Sequence, residues 1–261
     1  MTPLEGVAIA VAGVSAGTIN TVVGSGTLIT FPTLLALGYP PVVANVANTV
    51  GLTPGSLTAT WGYRRELRNQ RRRLLRLGTA SMVGGLIGGL LLLTLPAEAF
   101  KAIVPVLIGL ALVLVVLQPR LSARVAGRRE REQARTGVIR RRDGGPLFLL
   151  GITGTGVYGG YFGAAQGVLL LGLMGVSLDE DLQTLNGIKN VLTGLVNGTA
   201  AVLFIAVADV DWAVAGLIAI GAFFGGLLGA RIGRRLPPAV LRAVIVVVGI
   251  AAIVRVLTSG D

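Results

Sequence analysis

Long apolar stretches alternate with short polar breaks along this chain, and their lengths set the first expectation. A helix needs about 20 residues to cross the hydrocarbon core of a bilayer. Eight stretches are long enough or nearly so: Pro3–Val23, Val42–Tyr63, Leu74–Leu95, Phe100–Leu117, Pro146–Phe162, Leu182–Val207, Trp212–Ile232 and Pro238–Leu257. Two others, Thr27–Gly38 and Gly167–Ser177, are too short to cross upright. Each follows a glycine-bounded interruption, GSG at Gly24–Gly26 and GAAQG at Gly163–Gly167. Short apolar segments behind such interruptions predict broken or re-entrant helices that line a cavity. The expected fold is an all-α integral membrane protein with about 8–10 transmembrane segments.

The pattern occurs twice. At an offset of 141, Asn45 falls on Asn186, Thr49 on Asn190 and Ser56 on Asn197. Gly84, Gly85 and Gly88 fall on Gly225, Gly226 and Gly229, and Pro96 on Pro237. The shared order is a broken segment, an Asn-bearing helix, a GGxxG helix and a proline turn. It predicts two homologous membrane repeats, residues 1–118 and 146–261, joined by a basic cytoplasmic linker over residues 119–145. The GGxxG runs are small-xxx-small motifs, whose expected role is close helix packing.

Charge adds orientation. Only 13% of residues are charged, against about 25% in an ordinary soluble domain, and mean hydropathy is +0.79. The net charge of +11 comes mostly from arginine. Seven arginines lie between Arg64 and Arg76 and nine between Arg120 and Arg142. Nothing before Arg64 is Lys or Arg, so Met1–Gly24 reads as a retained span and not a cleaved leader. Basic loops between apolar stretches follow the positive-inside rule, which places both clusters in the cytoplasm. Few aromatics are interleaved with these arginines, so they lack the stacking platform of a nucleic-acid site. In the second half the loop Ala208–Asp211 is acidic and Arg234–Pro238 is basic, the reverse of the first half. That swap predicts inverted repeats, each with an odd number of crossings. Parallel repeats with both short segments re-entrant are the alternative.

The chemistry available is restricted. With neither His nor Cys there is no Ser-His-Asp triad, thiol nucleophile or disulfide, and no zinc site of the usual kind. All twelve acidic residues fall in predicted loops or at segment ends. No cofactor motif is present, so an enzyme is not the expectation. What stands out is polarity inside apolar helices. Asn45 and Asn48 with Thr49, and Asn186 with Asn190, lie on single helical faces, and an amide in hydrocarbon must turn inward to find a partner. Asn20, Ser25, Gly26, Gln166 and Gly167 flank the two interruptions, where half-helix N-termini offer N–H groups and a positive dipole end. Lys189 lies about two turns into its helix with no carboxylate at the same depth. It reads as an intramembrane cation awaiting an anion or as a snorkelling side chain.

Some of these stretches are familiar. The first interruption followed by FP, ANxxNT, PGS and WGYR resembles the opening repeat of the sulfite exporter TauE/SafE family of membrane transporters. The stretch YGGYFGAAQG with LNGIKN resembles that family's second repeat. The likeness covers nearly everything except the basic linker. It implies movement of small sulfur-containing anions or organic sulfonates across the bacterial inner membrane, although members differ in substrate and direction. Resemblance and residues together lead to one expectation. This is a multi-pass inner-membrane transporter of a small anion working by alternating access, with lipid around it and H+ or Na+ as candidate coupling ions. A membrane-embedded enzyme and a structural membrane protein are the competing classes.

Overall fold

The computed structural model describes residues 1–136 and 144–232, with residues 243, 245–248 and 250 beyond them. The expected last segment, Pro238–Leu257, and the turn Arg234–Pro238 therefore lie essentially outside the described residues. Nine helices are present among those described: α1 (Pro3–Val22), α2 (Thr27–Ala36), α3 (Pro41–Gly62), α4 (Arg71–Thr94), α5 (Ala97–Thr136), α6 (Pro146–Tyr161), α7 (Gln166–Ser177), α8 (Leu182–Val207) and α9 (Trp212–Ile232). Five of these supply a stretch long and apolar enough to cross a membrane, and α2 and α7 are short and apolar. The chain is an all-α, multi-pass membrane protein.

Local chemistry starts these helices where the sequence places them. Thr2 caps α1 in a capping box with Glu5, and Pro3 occupies the first turn, where its missing N–H is no loss. Asp181 caps α8 through the N–H groups of Gln183 and Thr184. Prolines also open α3 and α6. One end differs from expectation. The fourth apolar span was expected to stop at Leu117, yet α5 continues through Pro119 to Thr136. Arginine ends a membrane span but is a good helix former, so the charge boundary is not a helix boundary.

The chain directions follow from which residues meet. Gly13 and Gly17 of α1 lie against Ile218 and Ala222 of α9, and Gly51 and Gly55 of α3 lie against the same two residues. Helices α1, α3 and α9 therefore run the same way. Gly84 and Gly88 of α4 meet Thr153 and Val157 of α6, while Gly85 and Gly89 approach Val196 and Ala200 of α8, so α4, α6 and α8 also run together. The two sets oppose each other: along α3 and α8, Ser56 meets Gly194 whereas Tyr63 and Leu67 meet Gly187. The GGxxG runs thus sit at the closest crossings, where a side chain would collide with a neighbouring backbone.

Two chemically distinct ends result. At one, Arg73 pairs with Glu180 at 2.6 Å and Arg76 donates to the Gly144 carbonyl at 3.0 Å, which joins the α3–α4 loop to the α7–α8 loop and the start of α6. At the other, burial and the carboxylates of Asp211 and Glu5 raise the Tyr39 hydroxyl above its usual pKa. The start of α1, the α2–α3 loop and the α8–α9 loop therefore share an acidic end. A continuous apolar core runs between them through α1, α2, α3, α5, α8 and α9.

Candidate functional site

The site grows from the two interruptions. Helix α1 ends at Val22 and the chain reverses at Gly24 with φ +85°; α6 ends at Tyr161 and reverses at Gly163 with φ +78°. In each turn the glycine N–H reaches back five residues, Gly24 to the Ile19 carbonyl at 3.1 Å and Gly163 to that of Tyr158 at 3.0 Å. The equivalent residues are thus 139 apart through the breaks and the starts of α2 and α7, and 141 apart from α3 and α8 onward, because α7 is two residues longer than α2. Each turn holds four residues, 23–26 and 162–165, and Ala165 closes the second with φ +59°. The two turns touch. The Gly167 N–H donates to the Gly24 carbonyl at 3.1 Å, and a Cβ on either residue would lie 2.5 Å from the other's Cα. Only glycine fits both places.

Each break is capped by the opposite half. The last carbonyls of a helix have no partner within it and carry its negative dipole end. At the end of α1, Lys189 Nζ donates to the Asn20 carbonyl at 3.2 Å and the Thr21 carbonyl at 3.0 Å, and Asn190 Nδ2 reaches Thr21 at 3.4 Å. At the end of α6, Asn45 Nδ2 donates to the Tyr161 carbonyl at 2.9 Å. Lys189 is fully buried and does not snorkel, and helix-end carbonyls already hold its ammonium. That revises the expectation of a cation without a partner.

Lys189 and Asn48 occupy equivalent positions, and their neighbours explain why they differ. Asn48 is held by α2, accepting from the Thr30 hydroxyl and donating to Thr27 Oγ1 at 3.3 Å. In the second half Lys189 extends away from α7 and across to the end of α1. Thr49 turns its hydroxyl to the Asn45 carbonyl of its own helix at 2.9 Å. Asn20 Oδ1 accepts from the Gly26 N–H at 3.5 Å, closing the first turn.

What remains is a set of buried polar atoms without a protein partner. Ser25 Oγ, both side-chain polar atoms of Gln166, Asn45 Oδ1 and Asn186 Oδ1 are all in this state. Asn45 matches Asn186, and Ser25 and Gln166 each lie at a break, so both halves carry such atoms. A buried, unpaired polar group costs about 1–3 kcal/mol. Ser25 and Gln166 also sit where α2 and α7 begin, so two positive dipole ends converge there. Toward the acidic end the site is walled by rings packed edge to face, with Phe31 against Phe162 at 5.1 Å and Phe100 against Tyr161 at 5.5 Å.

Sequence comparison matches this architecture over most of its length. Residues 9–256 match the sulfite exporter TauE/SafE family. The chain belongs to that family. Among its relatives is the probable membrane transporter protein YfcA of Escherichia coli K12, 29% identical over 241 residues, covering 89% of this chain and 82% of that protein. A probable membrane transporter protein, ORF9, from a Sinorhizobium species is 27% identical over 250 residues, covering 95% and 91%. A third, from Haemophilus influenzae, is 25% identical over 235 residues, covering 90% and 88%. No solved structure matches the chain.

The structure brings Asn20, Ser25, Gly26, Asn45, Gln166, Gly167, Lys189 and Asn190 to the two breaks, while Asn48 and Thr49 are engaged within the first half. Sequence reasoning missed Thr21, Thr27, Thr30 and Tyr161. The three-residue spacing of Thr27 and Thr30 put them on one face of α2, and that was the available sign.

Proposed function

We propose that this membrane transporter moves a small anion, a sulfur oxyanion or organosulfonate of sulfite-like size, across the inner membrane by alternating access. The anion sits between the two halves at the paired breaks. The observation that carries this reading is the pair of buried, unpartnered groups at the two breaks, Ser25 Oγ and the Gln166 amide, beside the first N–H groups of α2 and α7. Hydroxyl and amide donors with two dipole ends complement a compact anion, and Lys189 adds positive potential close by. Asn45 is oriented by its bond to Tyr161, so its free Oδ1 is an acceptor suited to a hydroxyl on the anion or to a coupling Na+. We further propose inverted-topology repeats, a reading supported by the opposed directions of α1 and α6, α3 and α8, and α4 and α9.

Uptake into proteoliposomes tests the reading. Wild type should accumulate sulfite or a short sulfonate in preference to a cation of similar size, and a panel run under sodium or proton gradients identifies the coupling ion. Ser25→Ala combined with Gln166→Leu should keep the fold and weaken anion affinity by about 1–3 kcal/mol. Unchanged affinity in the folded double variant would move the site elsewhere.

A further inference from the structure

The arginines at the basic end are arranged around a cavity, and an apolar groove that the transport site does not use lies further along the same helix. A pocket of about 460 Å³ is lined by Arg68, Arg72, Arg73 and Arg76 with Gln70 and Glu180. Among the described residues the lining carries four guanidinium groups and one carboxylate, Glu180, which is bound by Arg73 at 2.6 Å and by Gln70 at 3.1 Å. Further along α4 lies an apolar groove of about 480 Å³ between α4 and α6, walled by Thr79, Ala80 and Val83 on one side and Leu149, Leu150 and Thr153 on the other.

The two lie in line along α4. Residues 72, 76, 80 and 83 follow the spacing of one helical face, so pocket and groove lie one above the other on α4. Arg76 marks their junction, since it donates to the Gly144 carbonyl just before the groove wall begins at Pro146. The groove opens at the outer face of the bundle: Val83 on the membrane-spanning α4 is 55% exposed and Leu150 on α6 is 68% exposed.

We propose that this surface binds one anionic phospholipid, with its phosphate in the arginine pocket and an acyl chain along the α4–α6 groove. A free anion would match the pocket but leave the groove unused, and a neutral lipid would match the groove but not the charge. Guanidinium groups pair with phosphate in a bidentate fork, and basic pockets beside membrane helices recognise acidic headgroups. The site is separate from the paired breaks and needs no statement about the transported substrate.

Native mass spectrometry of the full-length protein with phosphatidylglycerol and phosphatidylcholine of equal chain length tests it. Wild type should retain phosphatidylglycerol in preference, and Arg72→Gln with Arg76→Gln should reduce that preference by about tenfold or more. Ala80→Phe should fill the groove and reduce retention of the same lipid, whereas Arg65→Gln, an exposed arginine outside the pocket lining, should change nothing. Equal retention of the two lipids by wild type overturns the proposal. So does displacement by inorganic phosphate with no effect of Ala80→Phe, which would make the pocket a free-anion site. If the arginine variant fails to purify, a photoreactive phosphatidylglycerol on wild type must label residues 79–83 or 146–153, and labelling confined to other helices refutes the site.

Discussion

At the scale of single residues, Lys189 does two jobs that substitution can separate. Its ammonium caps the carbonyls of Asn20 and Thr21, and its charge lies close to the paired breaks. Lys189→Met removes both functions. It also removes the cost of a buried charge, about 2.5–3.5 kcal/mol on insertion scales. The carbonyls it strands lose hydrogen bonds to a charged donor, each contributing about 1.5–3 kcal/mol, so thermal stability in detergent should fall, with Asn190 holding Thr21 only partly. Lys189→Gln retains a donor without charge and should recover much of that stability while leaving anion affinity weakened. Affinity equal to wild type in the glutamine variant would mean that the charge serves the helix end alone. Lys189, Asn45, Asn186 and Gln166 were legible in the sequence because amides and ammonium groups cannot satisfy themselves in hydrocarbon. Thr27 and Thr30 were not. A threonine in a helix can bond its own preceding turn, as Thr21 does to Gly17 and Thr33 to Ile29, so its presence in a span says little about external partners.

At the scale of elements, the contact between the two breaks is the most demanding piece of geometry. Gly24 needs a left-handed backbone and a bare Cα at once, since a side chain there would meet Gly167. Gly24→Ala combines a left-handed conformational cost of about 1–2 kcal/mol with a backbone collision. The protein should reach the membrane through its long helices, yet lose transport and melt at lower temperature. Transport at the wild-type rate by purified Gly24→Ala would show that the breaks need not touch. Existence and order of the helices were readable from apolar runs and glycine interruptions. The left-handed backbone of Ala165 was not, because nothing in GAAQG signals that an alanine there adopts a glycine-like conformation. The extension of α5 past Leu117 was also hidden, since hydropathy reports where a membrane ends and not where a helix does.

At the scale of the whole molecule, the placement of charge and the direction of helices agree, and together they give a topology that labelling can check. The α3–α4 loop with Arg64–Arg76 lies at one end, and the acidic α8–α9 loop with Asp209 and Asp211 at the other. Under the positive-inside rule the arginine end faces the cytoplasm. The loops that contain Arg65 and Asp209 are equivalent in the two halves, so their sides decide between inverted and parallel repeats. Inverted repeats put them on opposite sides, whereas parallel repeats put them on the same side. The sequence has no cysteine, so single-cysteine variants start from a clean background. Asp209→Cys should react with an impermeant maleimide in intact cells, and so should Glu98→Cys in the α4–α5 turn. Arg65→Cys should react only after permeabilisation, and Arg235→Cys, outside the described residues, should behave like it. If Asp209→Cys and Arg65→Cys label from the same side, the halves are parallel and a site shared across an inverted pair of breaks is lost with them.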